Sequence, residues 1–205
     1  MFICFEGIDG AGKTTQADML RKKLCSAGYK AEVVADPGTT KIGYAIRKIL
    51  LETDDPISPS AQMLLFSAAR AELVEHIKKR IARDVVVICD RWLLSTLVYQ
   101  GVLNDISLDL IQGIFEGTGF LVPDICFVLD ILPEEALARM AAPRDRYERS
   151  CMDDRHKMRQ AYLDYGRDKM YDSDVQIVTA SAPAEVTHDK VCAIVFERIK
   201  SRRDN

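Results

Sequence analysis

Long hydrophobic runs are missing from this chain of 205 residues. The apolar opening, Met1 to Phe5, meets Glu6 far too soon for a signal peptide, and no later run approaches the length of a membrane span. A cytoplasmic protein with no membrane partner is expected. Charge of one sign is scarce as well. With 28 Lys and Arg against 31 Asp and Glu, the formal charge of -3 gives no bulk attraction for a nucleic-acid backbone. Polymeric nucleic acid is therefore not expected as a ligand. Cys-x-x-Cys pairs are absent: the six cysteines, at 4, 25, 89, 126, 151 and 192, are scattered, and several lie in apolar runs as small core residues. A reducing compartment fits them best. The histidines at 76, 156 and 188 make no ligand pair with these cysteines, so zinc chemistry is not expected and they read as surface residues. Internal repeats, low-complexity tracts and linkers are also lacking. With 48% hydrophobic residues, the chain is expected to form one domain over residues 1–205.

What the chain does have is alternation. Short apolar runs at Met1 to Phe5, Ala31 to Ala35, Val85 to Cys89, Ile125 to Leu129 and Val175 to Val178 are separated by helix-length segments. Runs of this kind predict buried parallel strands. Ser58-Pro59, Pro133 and Pro183 mark helix starts. The pattern predicts an α/β fold: a five-stranded parallel sheet flanked by helices on both faces, with ligands at the carboxyl ends of the strands.

Gly7-Ile8-Asp9-Gly10-Ala11-Gly12-Lys13-Thr14 satisfies the G-x-x-x-x-G-K-[ST] pattern between the first strand and a long helical segment. The glycines let backbone N–H groups turn inward on phosphates, and the helix dipole beginning near Lys13 favours negative charge there. Lys13 is expected to reach the β and γ oxygens of ATP, and the Thr14 hydroxyl to coordinate Mg²⁺. Asp90, at the end of the Val85 to Cys89 run, stands where such a protein holds its metal or a metal-bound water.

A phosphate loop also serves switches and motors. A guanine-specific switch carries Asn-Lys-x-Asp, whereas neither Asn104 nor Asn205 is followed by lysine. Residues 139–149 place Arg139, Arg144, Arg146 and Arg149 around Pro143 and a few small residues. That stretch reads either as a solvated loop or as a short arginine-rich lid. A lid suits transfer to a small bound acceptor, because a kinase must keep water from the phosphoryl group.

Several segments together resemble the thymidylate kinases, over almost the whole chain. They are Phe5-Glu6-Gly7 through Thr14-Thr15-Gln16, Asp36-Pro37-Gly38-Thr39-Thr40, Leu65-Phe66-Ser67-Ala68-Ala69-Arg70, Asp90-Arg91-Trp92 with Ser95, Tyr99, Gln100 and Gly101, Asp145-Arg146-Tyr147-Glu148, and Ala180-Ser181-Ala182-Pro183. The resemblance implies a P-loop NTPase fold and transfer from ATP to dTMP, with Mg²⁺ as cofactor and a homodimer packed through helices. It makes Gly7 to Thr15 the donor loop, Asp9 the holder of the acceptor's 3′-hydroxyl, and Ala180 to Pro183 the adenine-side turn. Pro37, Phe66, Arg70, Ser95, Tyr99, Gln100 and Tyr147 fall to the acceptor, with Phe66 stacking on the base, Arg70 reading it and Tyr99 near the sugar.

The residues agree with this. Phe66 and Arg70 lie four apart on one helical face, beside an apolar stripe of Ala61, Leu64, Leu65, Ala68 and Ile77. A ring and a forked donor pointing one way suit a nucleobase. Arg91 and Arg47 are candidate clamps for the acceptor phosphate. Lys13, Arg91, Mg²⁺ and a lid arginine, Arg144 or Arg146, would supply the charge that stabilises transfer.

The chain departs from the family pattern at Ala35, where arginine is usual, at Asp36 in place of glutamate, at Trp92 in place of tyrosine or histidine, and at Val98 in place of alanine. Reshaped pocket walls at Trp92 and Val98 are expected, and they raise a modified pyrimidine such as 5-hydroxymethyl-dUMP as an alternative acceptor. A non-catalytic nucleotide-binding regulator is the alternative from another class.

Overall fold

Each apolar run is a strand of one parallel sheet. In the computed structural model, which describes residues 1–53, 55–140, 153–168 and 174–203, the strands are β1 (Phe2–Glu6), β2 (Lys30–Ala35), β3 (Val85–Asp90), β4 (Ile125–Asp130) and β5 (Val175–Thr179). Their order is β2-β3-β1-β4-β5. The central strands β1, β3 and β4 are apolar without alternation because both faces are covered: β1 is buried throughout, and β3 and β4 up to their last residue. Strands β2 and β5 form the edges and keep partly exposed positions. Register aligns Cys4 with both Cys89 and Cys126 across the centre. All three are free, and burial pushes the Cys4 and Cys89 thiols well up, so they act as small core residues.

The helices are α1 (Lys13–Ser26), α2 (Lys41–Glu52), α3 (Pro59–Ile81), α4 (Leu93–Thr96), α5 (Leu108–Gly117), α6 (Pro133–Arg139), α7 (Arg155–Arg167) and α8 (Ala184–Arg203). Their starts follow local chemistry. The Ser58 side chain accepts from Ala61 N with Pro59 in the first turn, and the Thr40 and Ser107 hydroxyls cap α2 and α5 in the same way. Helix α4 runs into a π-helical segment, Leu97–Leu103, which carries Tyr99 and Gln100. Wider turns of this kind re-aim side chains and often occur at functional sites.

Strands β1 and β4 are neighbours, yet the connection after β1 leads to the β2 edge and the one after β4 to the β5 edge. A crevice opens where such connections diverge. The acids Glu6, Asp90 and Asp130 close β1, β3 and β4 at that end.

The expected apolar stripe of α3 needs correction. Leu64 is 60% exposed and Ala68 is exposed, whereas Met63, Ala69, Leu73, Val74 and Ile77 form the buried face together with Arg70. Arg70 thus sits within the packed face rather than beside it. Among the described residues no helix is long and apolar enough to cross a membrane. Arg144, Arg146 and Tyr147, with the rest of the expected lid beyond Met140, lie outside the described residues.

Candidate active site

A cleft of about 1020 Å³ opens at the carboxyl ends of the strands, lined at one end by the glycine-rich loop and at the other by residues of β2, α2, α3 and the π-helical segment. In the loop, Gly12 has φ 94 and forms the N-cap of α1, a left-handed conformation that a side chain would strain. Gly10 has φ 84, and a Cβ there would stand 2.4 Å from the carbonyl oxygen of Ala136 in α6. No larger residue fits between loop and helix.

Lys13 Nζ donates to the carbonyls of Gly7 and Ile8, each at 2.9 Å. Burial, helped by Arg91, lowers its ammonium to about 8. The Ile8 side chain is a core residue, so Gly7 and Ile8 contribute backbone only, while Asp9 to Thr15 line the cleft. Thr14 Oγ1 donates to Asp90 Oδ2 at 2.5 Å. Two hard oxygen donors thereby meet beside the phosphate loop, a set that fits Mg²⁺, which binds through one or two protein oxygens and keeps its remaining sites for waters and phosphates.

Across the cleft, Arg91 leaves β3 with φ 71. Its guanidinium pairs with the Asp9 carboxylate, donates to Ser95 Oγ and Tyr162 Oη at 3.1 Å each, and lies over the Tyr99 ring. Tyr99 Oη donates to the other Asp9 oxygen at 2.8 Å. Burial works against the Asp9 charge, but Arg91, Lys13 and the Tyr99 hydroxyl outweigh it and hold the carboxyl at about 2. Beneath this network Glu6, fully buried, accepts from Trp92 N at 2.9 Å, Ser95 N at 3.1 Å and Ser95 Oγ at 2.5 Å. Burial raises the Glu6 carboxyl despite these donors.

At the far end, Pro37, Arg47, Phe66, Arg70 and Gln100 line one wall. Arg47 Nη1 donates to the Pro37 carbonyl at 2.9 Å, and the Asp36-Pro37 peptide is cis. Arg70 Nε donates to Asp36 Oδ2 at 2.6 Å. Burial nevertheless pushes the Asp36 carboxyl up. Arg70 Nη1 and Gln100 Nε2 are buried without a hydrogen-bond partner among the described residues, and both are donors left for a ligand.

The comparisons with known proteins come to the same place. Residues 5–191 match the family model described as thymidylate kinase. The chain belongs to the thymidylate kinase family. It is 39% identical to the thymidylate kinase of Pelodictyon phaeoclathratiforme over 98% of both chains. It is 43% identical to that of Chlorobium luteolum over 80% of this chain and 83% of the relative. The crystal structure of thymidylate kinase from Ehrlichia chaffeensis superposes with a TM-score of 0.76 at 28% identity, covering 95% of this chain and 97% of that one. The P-loop NTPase fold expected from the resemblance is therefore the fold of this chain.

Of the residues expected at the site, Asp9, Thr14, Thr15, Pro37, Arg47, Phe66, Arg70, Asp90, Arg91, Ser95, Tyr99 and Gln100 line this one cleft. Trp92 and Val98 are not pocket walls. Both are fully buried, with Trp92 Nε1 donating to Leu121 O at 2.9 Å and its ring stacked on Phe120. The Trp92 ring meets the cleft through Arg70, whose guanidinium lies over it. Two participants carried no motif: Tyr162, which reads as a core aromatic, and Arg155, buried with Nη1 3.2 Å from the Asp9 carbonyl. The expectation of surface histidines also needs amending at His188, whose Nε2 lies 3.2 Å from Cys192 Sγ one turn along α8. The i, i+4 spacing was the available signal.

Proposed function

We infer that the protein transfers the γ-phosphoryl group of ATP to the 5′-phosphate of dTMP, giving dTDP and ADP. The observation that carries this is one continuous cleft with the Thr14–Asp90 pair at the phosphate loop and the Arg91–Asp9 pair facing it. An oxygen of the acceptor phosphate attacks the γ-phosphorus, and the bond to the β,γ-bridging oxygen breaks with ADP as leaving group. No protein nucleophile is needed, so the chain's task is positioning and charge. Lys13 turns from its carbonyls to the β and γ oxygens. Thr14 and Asp90 would hold Mg²⁺, which would offset negative charge on the triphosphate. Arg91 clamps the acceptor phosphate with Arg47 beside it, and Asp9 accepts the 3′-hydroxyl while Tyr99 closes the space at the sugar. Phe66 stacks on the base, and the free donors of Arg70 and Gln100 address its carbonyl edge. The resemblance assigns a further cation to Arg144 or Arg146 and an acceptor contact to Tyr147, all three outside the described residues.

Exposed Ile42 and Ile49 on α2 and Leu64 on α3, helices that pack side by side, support association into a homodimer through this face. Buried free thiols at Cys4, Cys89 and Cys126 suit a reducing cytoplasm.

A coupled ADP-release assay with ATP and Mg²⁺ against dTMP, dUMP, 5-hydroxymethyl-dUMP, dCMP, UMP and AMP tests the reaction. dTMP is expected to lead. Consumption of ATP that is flat across all acceptors sinks the kinase reading, and chelation of Mg²⁺ is expected to abolish turnover.

A further inference from the structure

Two polar atoms at the donor end of the cleft have no hydrogen-bond partner among the described residues, Gln16 Oε1 and Thr187 Oγ1. Gln16 is 3% exposed and Thr187 2%. Both line the cleft together with the turn at residues 180–184. The orientation of the Gln16 amide follows from its other contact: Nε2 donates to Ala184 O at 2.8 Å, and only the nitrogen can face a carbonyl. The oxygen must point elsewhere. Thr187 has its backbone N–H engaged with Pro183 O, but its hydroxyl has both a proton and lone pairs to offer. A buried acceptor and a buried hydroxyl left unpaired on a cavity wall are costly in an empty protein and are the usual mark of a ligand contact.

We propose that Gln16 and Thr187 select the base of the phosphoryl donor. The Gln16 Oε1 accepts from the 6-amino group of adenine, and the Thr187 hydroxyl donates to the ring nitrogen beside that group. Guanine carries a carbonyl at the same position, which would set acceptor against acceptor and leave Gln16 Oε1 unpaired, while the Thr187 hydroxyl could turn to accept from the ring N–H. A site built to hydrogen-bond a group discriminates strongly against an analogue lacking it, since its own polar atoms are then stranded. Arg139 Nη2 donates to Ser181 O at 3.3 Å and holds the far side of the same turn. The assignment rests on the kinase reading above and adds to it the residues that read the donor's base.

The test compares ATP with purine riboside triphosphate, which has hydrogen in place of the 6-amino group, as donors to dTMP. The unaltered protein is expected to favour ATP by about 10-fold in kcat/KM, the value of one hydrogen bond. Gln16→Met should bring that ratio close to one by lowering ATP use alone. Thr187→Val should lower both donors alike, because both keep the ring nitrogen. Equal use of the two donors by the unaltered protein overturns the proposal, as does a Gln16→Met protein that loses both donors in proportion, which marks a packing role. Should Gln16→Met not fold, Gln16→Asn, which withdraws the amide by one methylene, takes its place, and an unchanged ratio overturns the proposal. If no donor supports transfer, the kinase reading fails instead. Calorimetric binding of the same two nucleotides then decides the donor-base assignment by the same ratio.

Discussion

Arg70 and Asp36 meet at 2.6 Å with both side chains almost out of solvent, at 6% and 1% exposure. The pair leaves Arg70 Nη1 and Asp36 Oδ1 each without a hydrogen bond among the described residues, and rings of Trp92 and Phe115 lie against the guanidinium. The arginine is therefore held rigid with a donor to spare.

Removing one member of such a pair strands the other. Arg70→Met is expected to destabilise the fold by about 3–5 kcal/mol by leaving the Asp36 charge uncompensated, lowering the thermal midpoint by roughly 6–20 °C at about 2–4 °C per kcal/mol. Scanning calorimetry measures this. A shift under about 2 °C would show that the pair contributes nothing net. The double variant Arg70→Met, Asp36→Asn should recover part of the loss.

Arg91→Ala should leave the KM for ATP within about 2-fold and lower kcat by about 100-fold or more, the scale of losing one charge that orients and stabilises the moving group. Steady-state kinetics with each substrate varied in turn separate the two. An unchanged kcat takes Arg91 out of the site.

The Lys13 ammonium, lowered to about 8 by burial in the free protein, gives a pH dependence with opposite signs for activity and stability. Above about pH 8 the neutral amine no longer attracts the triphosphate, so kcat/KM for ATP should fall there. kcat should hold to higher pH because bound phosphates restore the proton. The unfolded chain keeps this proton up to about 10.5, so between the two values the unfolded state binds more protons and the folded state gains stability as pH rises. Lys13→Arg, which stays charged, should abolish the fall in kcat/KM near pH 8; a fall that persists in it removes Lys13 as the cause.

Glu6 touches no ligand-lining space of its own but fixes Ser95, which receives Arg91. Glu6→Gln should raise the KM for dTMP by about 10-fold, the value of one charge-assisted hydrogen bond, and leave that for ATP unchanged. Because burial raises this carboxyl, its ionised form is strained at neutral pH, and the neutral amide should cost little stability. A large drop in thermal midpoint without a KM effect would make Glu6 a packing residue only.

Much of this molecule can be read from local sequence. Strands buried on both faces show as unbroken apolar runs, and the glycine-rich loop, Ser58-Pro59 and Asp90 announce themselves through short-range chemistry. What could not be read is set by partners far along the chain. Leu64 reads as core and is exposed because α3 turns Met63 and Arg70 inward instead. Trp92, adjacent in motif to the cleft, faces the core because Phe2 of β1 and Phe120 stand against its ring, and Val98 is buried as well. Tyr162 reaches Ser95 across 67 positions of sequence, and Arg155 reaches Asp9 across 146. No periodicity encodes such meetings.

The contact between Gly10 and the Ala136 carbonyl has an evolutionary reading. With the helix backbone already filling the space above position 10, no descendant of this sequence can move a charged side chain into the glycine-rich loop there by one substitution. The helix would have to shift first. The loop and α6 are thus locked into a shared history, in which a change in one is viable only after a change in the other.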